Sequence, residues 1–221
     1  MEINPSRQHE HAKDSSRCIV CKSNDIEHSR LRDNIREMAC NNCGATWNNI
    51  YGVMESTDIT ITGPRLAYVK GDATKPAFSP CIIAHIVNDQ GGWGAGFTES
   101  ITKTFGTGPR EHYKRIHRNQ SSQGLRHGYC AIWGGPGHLM PSIHIIHMFA
   151  QRGYISTDNP HPLNLQNLDK CLEILFHQAR EKELSVHMPR IGIGLGGATW
   201  NEVEPLIEKH RGEIPTFVYD L

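Results

Sequence analysis

Asn88 and Asp89 end an apolar run and open a glycine-rich one, His85-Ile86-Val87-Asn88-Asp89-Gln90-Gly91-Gly92-Trp93-Gly94-Ala95-Gly96-Phe97. A carboxylate beside an amide, next to a backbone free to approach a ligand closely, can position or deprotonate a water at a bound group. A second such stretch, Met188-Pro189-Arg190-Ile191-Gly192-Ile193-Gly194-Leu195-Gly196-Gly197, also follows an apolar run. Two loops of this kind facing one crevice can hold a diphosphate through their N–H groups, helped by the N-terminus of a following helix. Neither is a P-loop, since Gly-Lys-Ser/Thr is missing from both, and Gly92 to Gly96 lack the dinucleotide fingerprint spacing.

A different chemistry sits near the N-terminus. Cys18-Ile19-Val20-Cys21 and Cys40-Asn41-Asn42-Cys43 are 18 residues apart, the spacing of a structural site holding Zn with four thiolates. A segment of about 40 residues buries too little core to fold alone, so the metal would supply the missing free energy. Gly44 suits the turn, and Trp47 and Tyr51 are placed to cover the metal's flank. Residues 14–54 resemble a zinc ribbon. With 7 Lys/Arg against 9 Asp/Glu in residues 1–63 no basic face is evident, so protein docking and nucleic-acid contact both stay open. The other cysteines, Cys81, Cys130 and Cys171, read as buried reduced thiols.

The elements that must carry these residues follow from periodicity. Leu66 to Lys70, Cys81 to Val87, Tyr129 to Trp133, Ile143 to Phe149, Val186 to Pro189 and Thr216 to Leu221 read as strands. Phe97 to Phe105 and Pro109 to Arg118 read as helices. Leu165, Leu168, Leu172, Leu175, Phe176 and Ala179 recur at helical spacing, and Thr199-Trp200-Asn201-Glu202 is a capping box opening a last helix. Strands alternating with helices predict an α/β domain whose mixed, largely parallel sheet is covered on both faces. Ligands of such sheets bind beyond the carboxyl ends of the strands, where both glycine loops fall. The expected organisation is a flexible tail (1–13), the zinc module (14–54), a linker (55–65) marked by Gly63-Pro64, and the α/β domain (66–221).

Bulk composition agrees. The 221 residues are 38% hydrophobic, with 23 basic against 23 acidic side chains. Balanced charge gives no global footprint for nucleic acid or an acidic membrane, and no apolar run approaches a membrane span of roughly 20 residues. The polar N-terminus lacks the apolar stretch of a signal peptide, so a cytoplasmic protein is expected.

Val69-Lys70-Gly71-Asp72-Ala73, His85 to Asp89, Gly94-Ala95-Gly96-Phe97 and Pro189 to Leu195, in that order, resemble the macro domain over residues 66–221, in its three-layer α/β/α form. The branch that looks closest includes terminal ADP-ribose glycohydrolases and DNA ADP-ribosyl glycohydrolase antitoxins. The resemblance implies ADP-ribose binding. Asp72, with Ala73 beside it, would accept a hydrogen bond from the adenine amine; Asn88 would lie beside the distal ribose. Gly92, Trp93, Gly94, Ala95, Gly96 and Phe97, with Gly192, Ile193, Gly194, Leu195 and Gly196, would wrap the diphosphate and distal ribose. Each has a plainer reading: Asp72 can cap its own turn, Asn88 and Asp89 favour turns in any protein, and Trp93 is either a lid or a packed anchor.

Glycohydrolases of this branch use a lysine nucleophile and an aspartate in the second loop. Here those positions carry Gln151 and Gly196, neither of which can do that chemistry. Asp89, with Asn88, is the remaining catalytic candidate; His85, His144, His147 and His187 read as core histidines. Two functions stand: a hydrolase removing ADP-ribose from protein or nucleic acid, or phosphate from ADP-ribose 1''-phosphate, and a non-catalytic ADP-ribose reader docked through the zinc module. Arg110 to His127 holds Arg110, Lys114, Arg115, Arg118 and Arg126 against Glu111, either a phosphate-binding edge or a solvated helix face.

Overall fold

In a computed structural model, the described residues are 18, 24–28, 35–42, 45–50, 60–61, 66–76, 79–121, 127–134 and 142–220. They form two sheets. The smaller is antiparallel, in the order β1 (Ile26–His28), β2 (Ile35–Cys40), β3 (Ala45–Ile50) and β4 (Thr60–Ile61). β4 lies inside the segment read as a linker over 55–65: Ile61 pairs with Ala45 and Thr60 with Thr46. The alternation of β-branched residues around Thr60 is strand chemistry that the following Gly63-Pro64 break obscures.

The larger sheet has six strands in the order β5 (Leu66–Lys70), β10 (Thr216–Asp220), β9 (Ser185–Pro189), β6 (Cys81–Asn88), β8 (Ile143–Gln151) and β7 (Cys130–Gly134). All neighbours are parallel except β7, which runs antiparallel to β8. The central strands are almost wholly buried, as a sheet covered on both faces requires. Alternate residues face opposite layers. Ile82 and Ala84 of β6, with Ile146 and Met148 of β8, join a core shared with helices α3 (Leu165–Glu181) and α4 (Trp200–Arg211). On the other face Ile83 and Ile145 pack on Ile101 of α1 (Phe97–Phe105), while Val87 and Phe149 pack on Tyr113 of α2 (Gly108–Ser121).

α3 buries Leu168, Cys171, Leu172, Leu175, Phe176 and Ala179, positions three and four apart, and each large apolar side chain removed from water contributes about 1.5–3 kcal/mol. Asn164 caps it by accepting the Asn167 N–H at 2.9 Å. The capping box of α4 is formed, with the Glu202 carboxylate accepting the Thr199 N–H at 2.8 Å. Among the described residues no helix is long and apolar enough to cross a membrane.

Candidate functional site

The parallel strands send their carboxyl ends to one edge of the sheet. β6 and β9 are neighbours, so the loops after Asn88 and Pro189 open on the same crevice, and they meet there. A Cβ built on Gly96 would lie 3.6 Å from Leu195 Cδ1.

Asn88 shapes the first loop. Its Oδ1 accepts the N–H groups of Gln90 (2.9 Å) and Gly92 (3.0 Å), and its Nδ2 donates to the Gly92 carbonyl (3.1 Å). The Tyr113 hydroxyl, from α2, donates to the Asn88 carbonyl at 2.8 Å. The Asn88 amide therefore acts on its own loop. A Cβ on Gly92 would lie 2.4 Å from the Tyr154 hydroxyl, so a side chain there would displace that exposed ring. Trp93 makes the contacts of a packed anchor. Its indole N–H donates to Thr102 Oγ1 at 2.8 Å, and its ring packs against His85, Tyr113 and His147. Gly94, Ala95 and Gly96 are exposed at the crevice, Phe97 is half-buried as α1 begins, and the Gly94 N–H is held by Thr98 Oγ1 at 3.0 Å.

Asp89 is built into a junction. Its Oδ1 accepts the Gly153 N–H at 2.6 Å and the Gln90 amide at 3.0 Å, while Oδ2 lies 3.7 Å from His127 Nε2. His117 Nε2 lies 2.9 Å from the Asp89 carbonyl; a carbonyl only accepts, so this nitrogen carries the proton. Gln151 donates to the Gly153 carbonyl at 3.1 Å. Gly153 is thus held through both of its flanking peptide groups, its N–H by Asp89 and its C=O by Gln151.

The second loop closes on itself. Gly192 accepts the Ala198 N–H, Gly194 accepts the Gly197 N–H, and Gly196 accepts the Leu163 N–H. A Cβ on Gly196 would lie 2.4 Å from the Gly192 carbonyl oxygen, so an aspartate has no space there. Gly194 stays open, and Ile193 and Leu195 point outward. Arg190, at the loop's start, grips Asp220 with two nitrogens and stacks on Tyr68 and Trp200. Tyr68 OH also bonds Glu204.

Asp72, just past β5, caps its own turn by accepting the Thr74 N–H at 2.9 Å, with Ala73 buried beneath. That is the plainer of its two readings, and it occupies one carboxylate oxygen.

His85, His147 and His187 are core groups, whereas His144, also expected in the core, is only half-buried. His85 Nε2 and His147 Nδ1 share a hydrogen bond at 2.7 Å, with His112 packed against His147. Burial pushes the His85 imidazole down to about 3; burial, then His85 and His112, lowers His147. His187 bonds Ser185 and Tyr219, and burial lowers it to about 3. Burial likewise pushes the Cys81 thiol up to about 12.

Of the four candidate zinc ligands, Cys18 and Cys40 are buried; Cys21, Cys43, Gly44, Tyr51 and the side chain of Trp47 lie outside the described residues. Cys40 ends β2, which pairs antiparallel with β3. Between them Asn42 donates to the Tyr68 carbonyl at 3.0 Å, joining the two sheets.

Sequence reasoning missed Tyr113, His117, Gly153 and Tyr154. Only the turn-rich composition of residues 152–160 hints at a special loop there; its contact with Asp89 depends on β6 lying beside β8.

Residues 84–207 match the family model described as Macro domain. Chromodomain-helicase-DNA-binding protein 1-like of Mus musculus is 28% identical over 176 residues, covering 76% of this chain and 18% of that protein. The chain therefore spans less than a fifth of that relative. ADP-ribose 1''-phosphate phosphatase of Meyerozyma guilliermondii is 27% identical over 172 residues, covering 70% of this chain and 98% of that protein. The solved structure of a macrodomain protein from Streptomyces coelicolor is 34% identical at a TM-score of 0.59, covering 71% of this chain and 99% of that one.

Proposed function

The chain belongs to the macro domain family, and on that premise we propose that its crevice binds ADP-ribose and hydrolyses ADP-ribosyl derivatives. The observation that carries this is the meeting of the two glycine loops at the carboxyl edge of the sheet, Leu195 against Gly96. Their exposed backbone suits a diphosphate, and Asp72 at the end of β5 keeps a second carboxylate oxygen for the adenine amine. The ADP-ribose 1''-phosphate phosphatase relative supports the same substrate class.

Asp89 is the catalytic group in this reading. Gly153 and Gln90 hold Oδ1 and so fix the carboxylate, leaving Oδ2 toward His127. A water at Oδ2 would give its proton to the carboxylate as its oxygen bonds to the anomeric carbon of the distal ribose. The bond to the leaving group breaks, and the leaving group takes up the proton. Asn88 positions the loop that carries Asp89. A lysine nucleophile has no counterpart, because Gln151 is spent on the Gly153 carbonyl.

The alternative is a reader. It is favoured by the same Asp89–Gly153 bond, which gives the carboxylate a purely structural task.

The zinc module is part of the proposal. Cys18, Cys21, Cys40 and Cys43 would hold one structural Zn. Burial of Cys18 and Cys40, and the antiparallel pairing of β2, which Cys40 ends, with β3, fit a tetrathiolate site. Asn42 would make the module a docking partner of β5.

Calorimetric titration of the zinc-loaded chain with ADP-ribose tests the reading. Micromolar binding, weakened at least tenfold by Asp72→Ala, is expected; no heat of binding at millimolar ADP-ribose would end it.

A further inference from the structure

An exposed tyrosine faces the first glycine loop, and the chain around it is pinned. Tyr154 is 55% exposed, with its hydroxyl against Gly92. Four hydrogen bonds fix the backbone that carries it. Asp89 Oδ1 accepts the Gly153 N–H at 2.6 Å, and Gln151 donates to the Gly153 carbonyl at 3.1 Å. Asn159 Nδ2 donates to the Tyr154 carbonyl at 3.1 Å and to the Arg152 carbonyl at 2.9 Å. Ordering an exposed side chain costs conformational entropy that little apolar burial offsets. What the pinned backbone does fix is the place of the hydroxyl. Gln151, which cannot act as a nucleophile, thus helps to present Tyr154.

That hydroxyl shares a corner with the carboxylate read above as the base. Tyr154 directly follows Gly153, whose N–H Asp89 holds. Both groups also lie within electrostatic reach of Tyr113, whose hydroxyl donates to the Asn88 carbonyl at 2.8 Å. Burial chiefly pushes the Tyr113 phenol up, and Tyr154 and Asp89 add to the rise. A proton acceptor and an exposed proton donor therefore stand side by side at the first glycine loop. The other donor nearby, His127, lies 3.7 Å from Asp89 Oδ2, the oxygen at which water would be activated.

We propose that Tyr154 is a catalytic residue, the general acid that protonates the leaving oxygen as its bond to the distal ribose breaks. This rests on the hydrolase reading, in which Asp89 activates water, and adds the proton donor that completes it. The Tyr154 O–H proton passes to the leaving oxygen, which keeps both electrons of the broken C–O bond. The water oxygen bonds to the anomeric carbon and gives one proton to Asp89. That proton returns through solvent to the Tyr154 phenolate, so one water is consumed and both side chains are restored. The donor matters according to what leaves. An alkoxide, from ADP-ribose on a serine oxygen, needs the proton to depart. A glutamate carboxylate, whose acid has a pKa of about 4.3, departs without it.

Steady-state kinetics on the full zinc-loaded chain test this with two peptides, one carrying ADP-ribose on a serine oxygen and one on a glutamate carboxylate. Tyr154→Phe keeps the ring and removes only the hydroxyl. It should lower kcat on the serine-linked peptide about 10²-fold or more, and on the glutamate-linked peptide by less than about threefold. KM, and ADP-ribose affinity by calorimetry, should stay within a factor of about three, as for a group that acts only in the transition state. A merely structural tyrosine would slow both substrates alike. Equal losses on both, no loss on either, or a parent chain that cleaves only the glutamate ester would overturn the assignment. A loss that depends on the leaving group in His127→Gln and not in Tyr154→Phe would also overturn it. Both substrates are compared within one variant, so the ratio decides even if the substitution disturbs folding. If ADP-ribose fails to bind, the function proposed above falls and this assignment with it. If ADP-ribose binds and neither peptide is cleaved, the reader stands and this assignment falls; if both are cleaved with equal losses, only this assignment falls.

Discussion

Asp89 Oδ1 accepts the Gly153 N–H at 2.6 Å, across 64 residues of chain. This bond ties the loop after β6 to the segment after β8 and fixes the carboxylate beside the first glycine loop. In the proposed reading hydrolysis and loop architecture share one side chain, and the substitution that separates them must keep the acceptor while removing the base. Asp89→Asn does so. Turnover of ADP-ribose 1''-phosphate or of an ADP-ribosylated substrate should drop about 10²–10⁴-fold, with ADP-ribose affinity within a factor of about three. Turnover near the parent rate would remove Asp89 from the mechanism and favour a reader.

Gly196 leaves no space for a Cβ, with the Gly192 carbonyl oxygen 2.4 Å away. Gly196→Ala should force the second loop to shift, costing about 1–3 kcal/mol and at least tenfold in ADP-ribose affinity. Calorimetry and thermal melting read both. An alanine variant that binds and melts like the parent would show that the loop does not close as described.

Trp93 distinguishes anchor from lid. It packs under the loop and bonds Thr102, so Trp93→Ala should destabilise the fold by about 3–5 kcal/mol. Trp93→Phe should keep most of the packing and cost about 1 kcal/mol for the lost bond. Urea denaturation measures these; a lid would instead lose ligand affinity with little change in stability.

His85 and His187 stay neutral when folded, each lowered to about 3 by burial, against 6.5 for an exposed imidazole. The unfolded chain takes up these protons first as pH falls. Their stabilisation is complete above about pH 6.5 and is lost toward pH 3, at up to about 1.4 kcal/mol per pH unit for each histidine. The urea midpoint should therefore fall between pH 7 and pH 5. A constant midpoint would mean that the two imidazoles reach solvent.

The zinc proposal predicts one Zn per chain by elemental analysis, lost in Cys40→Ser. A chelator should change the fluorescence of Trp47 while the larger sheet keeps its cooperative melt. A metal content below about 0.1 per chain after purification with zinc present would exclude the tetrathiolate site.

Much of the scaffold was written locally. The continuous apolar runs of β6 and β8, the stripe from Leu168 to Ala179 and the Thr199 capping box each follow from local composition, periodicity or capping chemistry, and they form as read. β4 did not stand out, because two paired residues carry no period of their own.

The site divides in the same way. By itself the sequence determined that two glycine-rich loops follow strands and that Asp89 is the carboxylate beside them; that Gln151 and Gly196 stand where related glycohydrolases carry a lysine and an aspartate is what the family resemblance implies. Tertiary structure alone decided what these residues touch. It set Trp93 beneath the loop, turned the Asn88 amide inward, joined Asp89 to Gly153, and placed α2 and Tyr154 on either flank of the crevice. Those contacts depend on the order in which strands pair, which places β6 between β9 and β8. Pairing order is fixed by the burial of whole faces, summed over residues far apart in the chain, and no local pattern encodes that sum.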